Sequence, residues 1–442
     1  MKKEKKSFPF SIIISVLVLA VMGVGCFMLF RDTTPPAITI QPESETVGLA
    51  TKFTVTVQDS FSGIKNVEAV LISGNNTIPI FSQKPSRTTQ EVQENFTLKK
   101  GVIPDGPFTI RVSSRDNSLY PFGRAGKSSI SKSFTLDSKP PKIYVMTHTT
   151  NINQGGSGLV AFALSENVEK AGIQVGKRFF PAYRQAAEGD KNVYYCLFAM
   201  PWDTPPAAFK PLITVADKAG NTASRGFPYH ANARHFRADR INLSDAFMER
   251  TVPEFSRYDI GNGSPLEQYL TINNKVRTMN RAQLVQLGLD TADEILWKGA
   301  FVRLPNAANR ARFADQRDYY YKGKKVDHQT HLGIDLASIR QAKVPAANEG
   351  IVVFADFHGI YGNCVIIDHG LGLQTLYAHL SSIAVAQNDN VSKGQIIGRT
   401  GTSGLAGGDH LHYGVILSGT PVQPIEWWDA HWIKNNITSK LQ

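Results

Sequence analysis

His331-Leu332-Gly333-Ile334-Asp335-Leu336-Ala337, read as a strand, places His331, Gly333 and Asp335 on one face and Leu332, Ile334 and Leu336 on the other. His410-Leu411-His412-Tyr413-Gly414-Val415-Ile416 behaves the same way, with both histidines on one face and Leu411, Tyr413 and Val415 opposite. Two half-buried strands thus each present a pair of metal-competent side chains. Zinc takes imidazole nitrogen and carboxylate oxygen, and a catalytic zinc needs three protein ligands with a fourth position open. A His-Asp pair plus one further His meets that count and leaves other histidines for proton transfer.

Either motif alone carries little weight, because a histidine near a turn is common. Between them, however, lie Tyr361-Gly362-Asn363-Cys364-Val365-Ile366-Ile367-Asp368-His369-Gly370 and Thr375-Leu376-Tyr377-Ala378-His379-Leu380-Ser381. Val391-Ser392-Lys393-Gly394-Gln395-Ile396-Ile397-Gly398 and Gly401-Thr402-Ser403-Gly404 follow. The series His-x-x-x-Asp, Tyr-x-His, His-x-His resembles the lysostaphin-type (LytM, M23) zinc metallopeptidases, from about Gln329 to Trp428.

The resemblance implies a mainly antiparallel β domain with its site in a groove. It implies Zn2+ bound by His331, Asp335 and His412, with His379 and His410 as general base and transition-state stabiliser in either order. It further implies an endopeptidase acting on cross-links or stem peptides of peptidoglycan. The alternative is a non-catalytic LytM-like envelope module that binds wall or activates another hydrolase. Tyr361, Asn363 and Tyr377 are expected along the substrate groove. His328, His358, His369 and His431 are read as ordinary histidines outside the metal site.

Working outward, the chain has 442 residues, more than one hydrophobic core usually supports, and its 42% hydrophobic and 19% charged residues suit globular domains. Met1-Lys2-Lys3-Glu4-Lys5-Lys6 is basic, and Phe10 to Phe30 carries no charge, a span of roughly 30 Å as helix. The lysines before it and Arg31-Asp32 after it predict a single-pass anchor in the inner (cytoplasmic) membrane, left uncleaved, with the body in the periplasm or extracellular. The net charge of +11 suits polyanionic surroundings, and outside a membrane these are wall polymer and lipid head groups rather than nucleic acid. Peptidoglycan and the membrane are the expected partners, with a place for a regulatory envelope protein. Of three cysteines, Cys26 lies in the anchor segment, and Cys364 sits in an apolar run as a small buried thiol.

Asp32-Thr33-Thr34-Pro35-Pro36 and Asp137-Ser138-Lys139-Pro140-Pro141 open an internal repeat of roughly one hundred residues. The two units end alike, on Arg115-Asp116-Asn117 and on Ala216-Asp217-Lys218-Ala219-Gly220-Asn221, each after an alternating strand. The expected fold is mainly β. It has a cytoplasmic tip (1–9), a transmembrane helix (10–30), two immunoglobulin-like β-sandwiches (33–137 and 138–232) serving as spacers, a helical connector (233–297) and the LytM-type domain (298–442). The connector would either pack on its neighbours or cover the cleft.

Overall fold

The computed structural model describes residues 10–30, 32–118, 126–185 and 192–441, and the basic tip expected at 1–9 lies outside them. The chain divides into two compact units. One runs to Pro140 and takes in Ala216–Asn221, and the other comprises Pro141–Val215 and Thr222–Gln442.

The first unit begins with the helix Phe10–Phe30, 21 residues long. Its described side chains stand exposed, from Ile12 at 45% to Phe27 at 69%. Among the described residues no helix is long and apolar enough to cross a membrane. The rest of this unit is a three-stranded sheet (Ala37–Gln41, Phe53–Gln58, Glu91–Phe96) and a five-stranded sheet that includes Ile64–Ser73, Gly106–Asp116 and Lys127–Leu136. Alternation in Phe53-Thr54-Val55-Thr56-Val57 buries Phe53, Val55 and Val57 while the threonines stay half-exposed. Phe53, Phe108 and Phe134, drawn from both sheets, pack their rings into a shared core.

The second unit departs from the modular plan expected of the sequence. Residues 143–215 do fold into β-strands, but their core is continuous with that of the C-terminal domain. Phe162, Phe198 and Phe209 belong to the same buried cluster as Trp297, Phe301 and Trp427. The buried Glu426 carboxylate accepts from Asn153 Nδ2 at 3.1 Å and from the Ser157 amide at 3.0 Å, and Trp427 Nε1 donates to Ser157 Oγ. A buried carboxylate needs such donors, so this seam is built as an interior rather than as a linker.

The connector is helical over Asp245–Thr251, Pro265–Thr271 and Arg277–Leu287, with Ser244 and Ser264 as N-caps and a Ser264–Glu267 capping box. It also holds a strand that its helical reading leaves out. Ala238–Leu243 pairs in parallel with Gln316–Tyr321, half-burying Ile241 and burying Leu243.

The C-terminal sheet has ten strands. Its central order is Ala308–Ala311, Ile334–Ala337, Leu411–Leu417, Leu373–Ile383, Asn363–Asp368, Gly350–Phe357, and neighbouring strands are antiparallel throughout. One face packs Tyr377, Leu411, Tyr413 and Val415 into the main core. The other packs Ile366, Leu376, Ala378 and Ile416 against Tyr269, Ile272, Val276 and Leu284 of the connector. The connector therefore covers the sheet face from which the site residues project.

Candidate metal centre

Asp335 lies directly opposite His412 on adjacent antiparallel strands, and His412 lies opposite Ala378 on the next. Because Ile334, Leu411 and Tyr413 are committed to the core, alternation turns Asp335 and His412 the other way. His331 reaches them from outside a strand. Regular pairing begins only at Ile334, and His331 is held in the preceding loop by backbone hydrogen bonds to Ala314 and Asp315.

The three side chains converge tightly. His331 Nε2 lies 2.9 Å from Asp335 Oδ1 and 2.9 Å from His412 Nδ1, and His412 Nδ1 lies 3.0 Å from Asp335 Oδ1. His331 Nδ1 is 2.9 Å from the Arg312 carbonyl, which can only accept, so the proton belongs on Nδ1 and Nε2 offers a lone pair to the cluster. His412 Nε2 is buried without a partner and rests on Gly333, where a Cβ would come within 2.5 Å of it. A side chain at position 333 would displace the ring. Two imidazole nitrogens and a carboxylate oxygen packed this closely form the donor set of a three-ligand catalytic zinc site, and the residues present fit that ion.

Beyond this triangle, Asp335 Oδ2 accepts from Arg317 Nη2 at 2.8 Å, in a largely buried ion pair. Burial works against ionisation of Asp335, yet the adjoining His331, with His410 and His412 close by, holds its carboxyl well below the ordinary range. Burial, against the pull of Asp335, pushes His412 down to about 4. Both groups are therefore in the ligating, deprotonated form at neutral pH.

His379 arrives by a break in the pattern. Regular alternation would place it on the face of Tyr377, in the core. Its φ of 61° instead turns the side chain over, at the register shift where its strand leaves Leu411–Leu417 and pairs with Ile396–Thr400. Its ring comes to 4.9 Å from that of His410 and 5.8 Å from that of His412. His379 Nδ1 donates to the Ser403 carbonyl at 2.8 Å and His410 Nδ1 donates to the Gly408 carbonyl at 2.7 Å, which leaves both Nε2 atoms free of the backbone. His410 Nε2 is 3.6 Å from Asp335 Oδ1. Burial and the neighbouring His410 and His412 hold His379 well below the usual imidazole range. Burial also opposes a charge on His410, but Asp335 outweighs it and lifts that group.

All five residues line a cleft of about 770 Å3, together with Tyr361, Arg317 and, from the connector, Leu243, Tyr269 and Arg277. Tyr361 is the one of the three expected groove residues found there. The Asn363 side chain is turned to the Leu380 carbonyl at 3.0 Å. Tyr377 is in the core, its hydroxyl accepting the Ala347 amide at 2.7 Å, because it shares the Tyr413 face of the sheet. His369 is buried in the same core, and His328 pairs with Asp318 away from the centre. His358 bonds the Asn280 carbonyl behind Tyr361, and His431 is exposed. Nothing local in the sequence marks Arg317, since its spacing from His331 follows no strand or helix period. Cys196 and Cys364 are free and buried, and burial pushes both thiols up, so neither is a nucleophile.

The sequence profile of Peptidase family M23 matches residues 329–424. Over 95 residues the chain is 44% identical to the DD-carboxypeptidase/endopeptidase Mpg of Neisseria meningitidis, which covers 22% of each protein. Over 96 residues it is 41% identical to the peptidoglycan DD-endopeptidase ShyA of Vibrio cholerae, again 22% of each. The matched segment thus spans about one fifth of the length of these relatives. A zinc-containing peptidase from Vibrio cholerae is similar at 14% identity and a TM-score of 0.26, over 72% of this chain and 81% of that one. With the matched residues enclosing the whole His-Asp-His triangle and both flanking histidines, residues 329–424 are a domain of peptidase family M23.

Proposed function

We propose that this protein is a zinc-dependent endopeptidase that cleaves peptide cross-links of peptidoglycan. The observation that carries the proposal is the triangle of His331, Asp335 and His412 donor atoms, 2.9 to 3.0 Å apart, in an open cleft with His379 and His410 at its edge. His331, Asp335 and His412 would hold the metal. Zinc supplies Lewis-acid polarisation of a scissile carbonyl and acidifies water. His379 and His410, each oriented by a backbone carbonyl, form the proton-transfer pair. One takes the proton as water attacks, and the other stabilises charge developing on the carbonyl oxygen. Tyr361 and the arginines of the cleft hold the peptide. The DD-endopeptidase names of two relatives support the bond between D-alanine and a diamino acid as the one cut.

The same proposal includes location. The uncharged stretch Phe10–Phe30 would anchor the chain in the cytoplasmic membrane, supported by its lack of charge between Lys6 and Arg31 and by the exposure of its described apolar side chains, and the two-sheet unit after it would act as an immunoglobulin-like spacer.

The test uses the full chain in mild detergent, with zinc measured by elemental analysis and new amines measured after incubation with purified peptidoglycan. Wild type should hold one zinc and release amines. His412→Ala should lose both. His379→Ala and His410→Ala should keep zinc and lose on the order of 100-fold or more in rate. Zinc retained without amine release by wild type would overturn the enzyme reading in favour of a non-catalytic wall-binding module, and a folded wild type without zinc would sink both.

A further inference from the structure

The first unit contains a second convergence of ligating groups, far in sequence from the peptidase domain. Asp32, Asp59 and Asp116 are buried at 4%, 4% and 2% exposure, and a carboxylate oxygen from each lies within 4.8 Å of the other two. They come from three parts of the chain. Asp32 lies just past the helix Phe10–Phe30, Asp59 follows the strand Phe53–Gln58, and Asp116 ends the strand Gly106–Asp116.

Part of each group is used to hold the fold. Asp59 Oδ1 accepts the amides of Phe61 at 3.1 Å and Gly63 at 2.7 Å, and Asp32 Oδ2 accepts the amide of Ser62 at 3.2 Å. Asp116 Oδ1 accepts the Ser118 amide at 2.9 Å, and Ser118 Oγ donates to the Asp32 carbonyl at 2.7 Å. What remains is an orphan. Among the described residues Asp116 Oδ2 is fully enclosed and has no hydrogen-bond partner, and the hydroxyl of Ser62, whose amide bonds Asp32, is likewise enclosed without one. A buried carboxylate oxygen beside two further carboxylates is strongly unfavourable unless a proton neutralises one of them or a cation joins them.

The sequence repeats the arrangement. Asp32 precedes Pro35-Pro36 by the interval at which Asp137 precedes Pro140-Pro141. Asp59 follows the third strand of its repeat, Phe53–Gln58, as Glu166 follows Ser157–Leu164, and Asp116 ends Gly106–Asp116 as Asp217 follows Leu212–Ala216.

We propose that Asp32, Asp59 and Asp116 form a structural calcium site in the first unit. The donors are oxygen only, with neither imidazole nor thiolate, which selects a hard cation over zinc, and three carboxylates from separate loops suit the large, adaptable shell of calcium better than the rigid octahedron of magnesium. Bound there, the ion ties the chain after Phe10–Phe30 to two loops of the first unit and stiffens that unit.

The experiment uses the full chain in mild detergent, zinc-loaded and freed of calcium by chelator and dialysis. Radioactive calcium binding is measured by equilibrium dialysis, and thermal unfolding is followed with calcium, with magnesium and with neither. Wild type should bind calcium and melt at a higher temperature with it than with the same concentration of magnesium. Asp116→Asn should lose one bound calcium, or weaken it by at least about tenfold. In the absence of calcium Asp116→Asn should melt no lower than wild type, because Asn keeps the Oδ1 acceptor and removes a repelling charge. Asp59→Asn provides a second, independent variant of the same kind. Calcium binding equal in wild type and both variants, or unfolding indifferent to calcium, would overturn the proposal. Peptidase zinc content should be the same in all, which separates this site from the metal centre.

Discussion

At the scale of single residues, the metal centre depends on groups that touch no metal. Arg317 occupies Asp335 Oδ2 and so leaves Oδ1 facing the histidines, and the Arg312 carbonyl fixes the His331 tautomer. A carbonyl acceptor cannot be removed by mutation, but Arg317 can. Arg317→Met should lower zinc affinity by roughly 10- to 100-fold, the usual range when an outer partner of a ligand is removed. Arg317→Lys should fall between, since it keeps the charge without the planar fork. Competition with a chromophoric chelator measures this directly, and affinity unchanged in Arg317→Met would show that Asp335 is oriented by other means. His379 is the other decisive residue at this scale. A non-glycine residue at φ 61° costs about 1 kcal/mol, and that strain is what moves it from the core face to the site face.

At the scale of elements, the strands Asn363–Asp368 and Leu373–Ile383 and the turn between them form the floor beneath the site. His369, in that turn, is enclosed between the Glu349 carbonyl at 2.6 Å and Thr375 Oγ1 at 2.8 Å, and burial pushes it down to about 4. Its folded value lies below its unfolded value near 6.5, so the unfolded chain binds the proton first. The contribution to stability is complete above about pH 6.5 and is lost as pH falls toward 4, by roughly 3 kcal/mol. Urea midpoints of the zinc-free protein between pH 4 and 7 should therefore fall more steeply with acid in wild type than in His369→Asn. Equal slopes would mean that His369 is not neutral by burial. The connector helices pack on the other face, the one from which the site residues project. Arg250 donates to the Ala406 carbonyl at 2.9 Å and Glu254 accepts the Gly404 amide at 2.7 Å, so the connector also holds the loop that leads to His410.

For the whole molecule, the continuity of the second unit sets where the chain can be cut. A fragment starting at residue 235 would remove the Ser157 and Asn153 donors from buried Glu426 and expose one side of the Trp297–Trp427 cluster. It should aggregate or melt well below the full chain, whereas a fragment of residues 141–442 should remain soluble and unfold cooperatively. Calorimetry and light scattering on the two fragments measure this. An equally stable shorter fragment would show that the shared core contributes little.

The facing of Asp335 and His412 was legible in sequence because it obeys a local rule, whereas His331 stands before the strand and joined the proposed ligand set through the family resemblance. In His-Leu-His and in Ile-Asp-Leu the apolar neighbours must enter the core, so the polar residue faces the other way whatever the rest of the chain does. The alternation of Phe53 to Val57 was readable for the same reason. His379 was indicated by the family resemblance and not by alternation, which would put it in the core; the place of Tyr377 and the part of Arg317 were not legible, since a single backbone reversal, a choice of sheet face and an ion pair between separate strands are fixed only when the whole sheet is assembled. The same holds for the seam at Glu426, where the second repeat has the local pattern of a free-standing module and yet shares its interior with the peptidase domain. Sequence by itself determined which way Asp335 and His412 face, through short-range periodicity. Tertiary structure alone decided which of their neighbours orient them, because those contacts join residues that no local period connects.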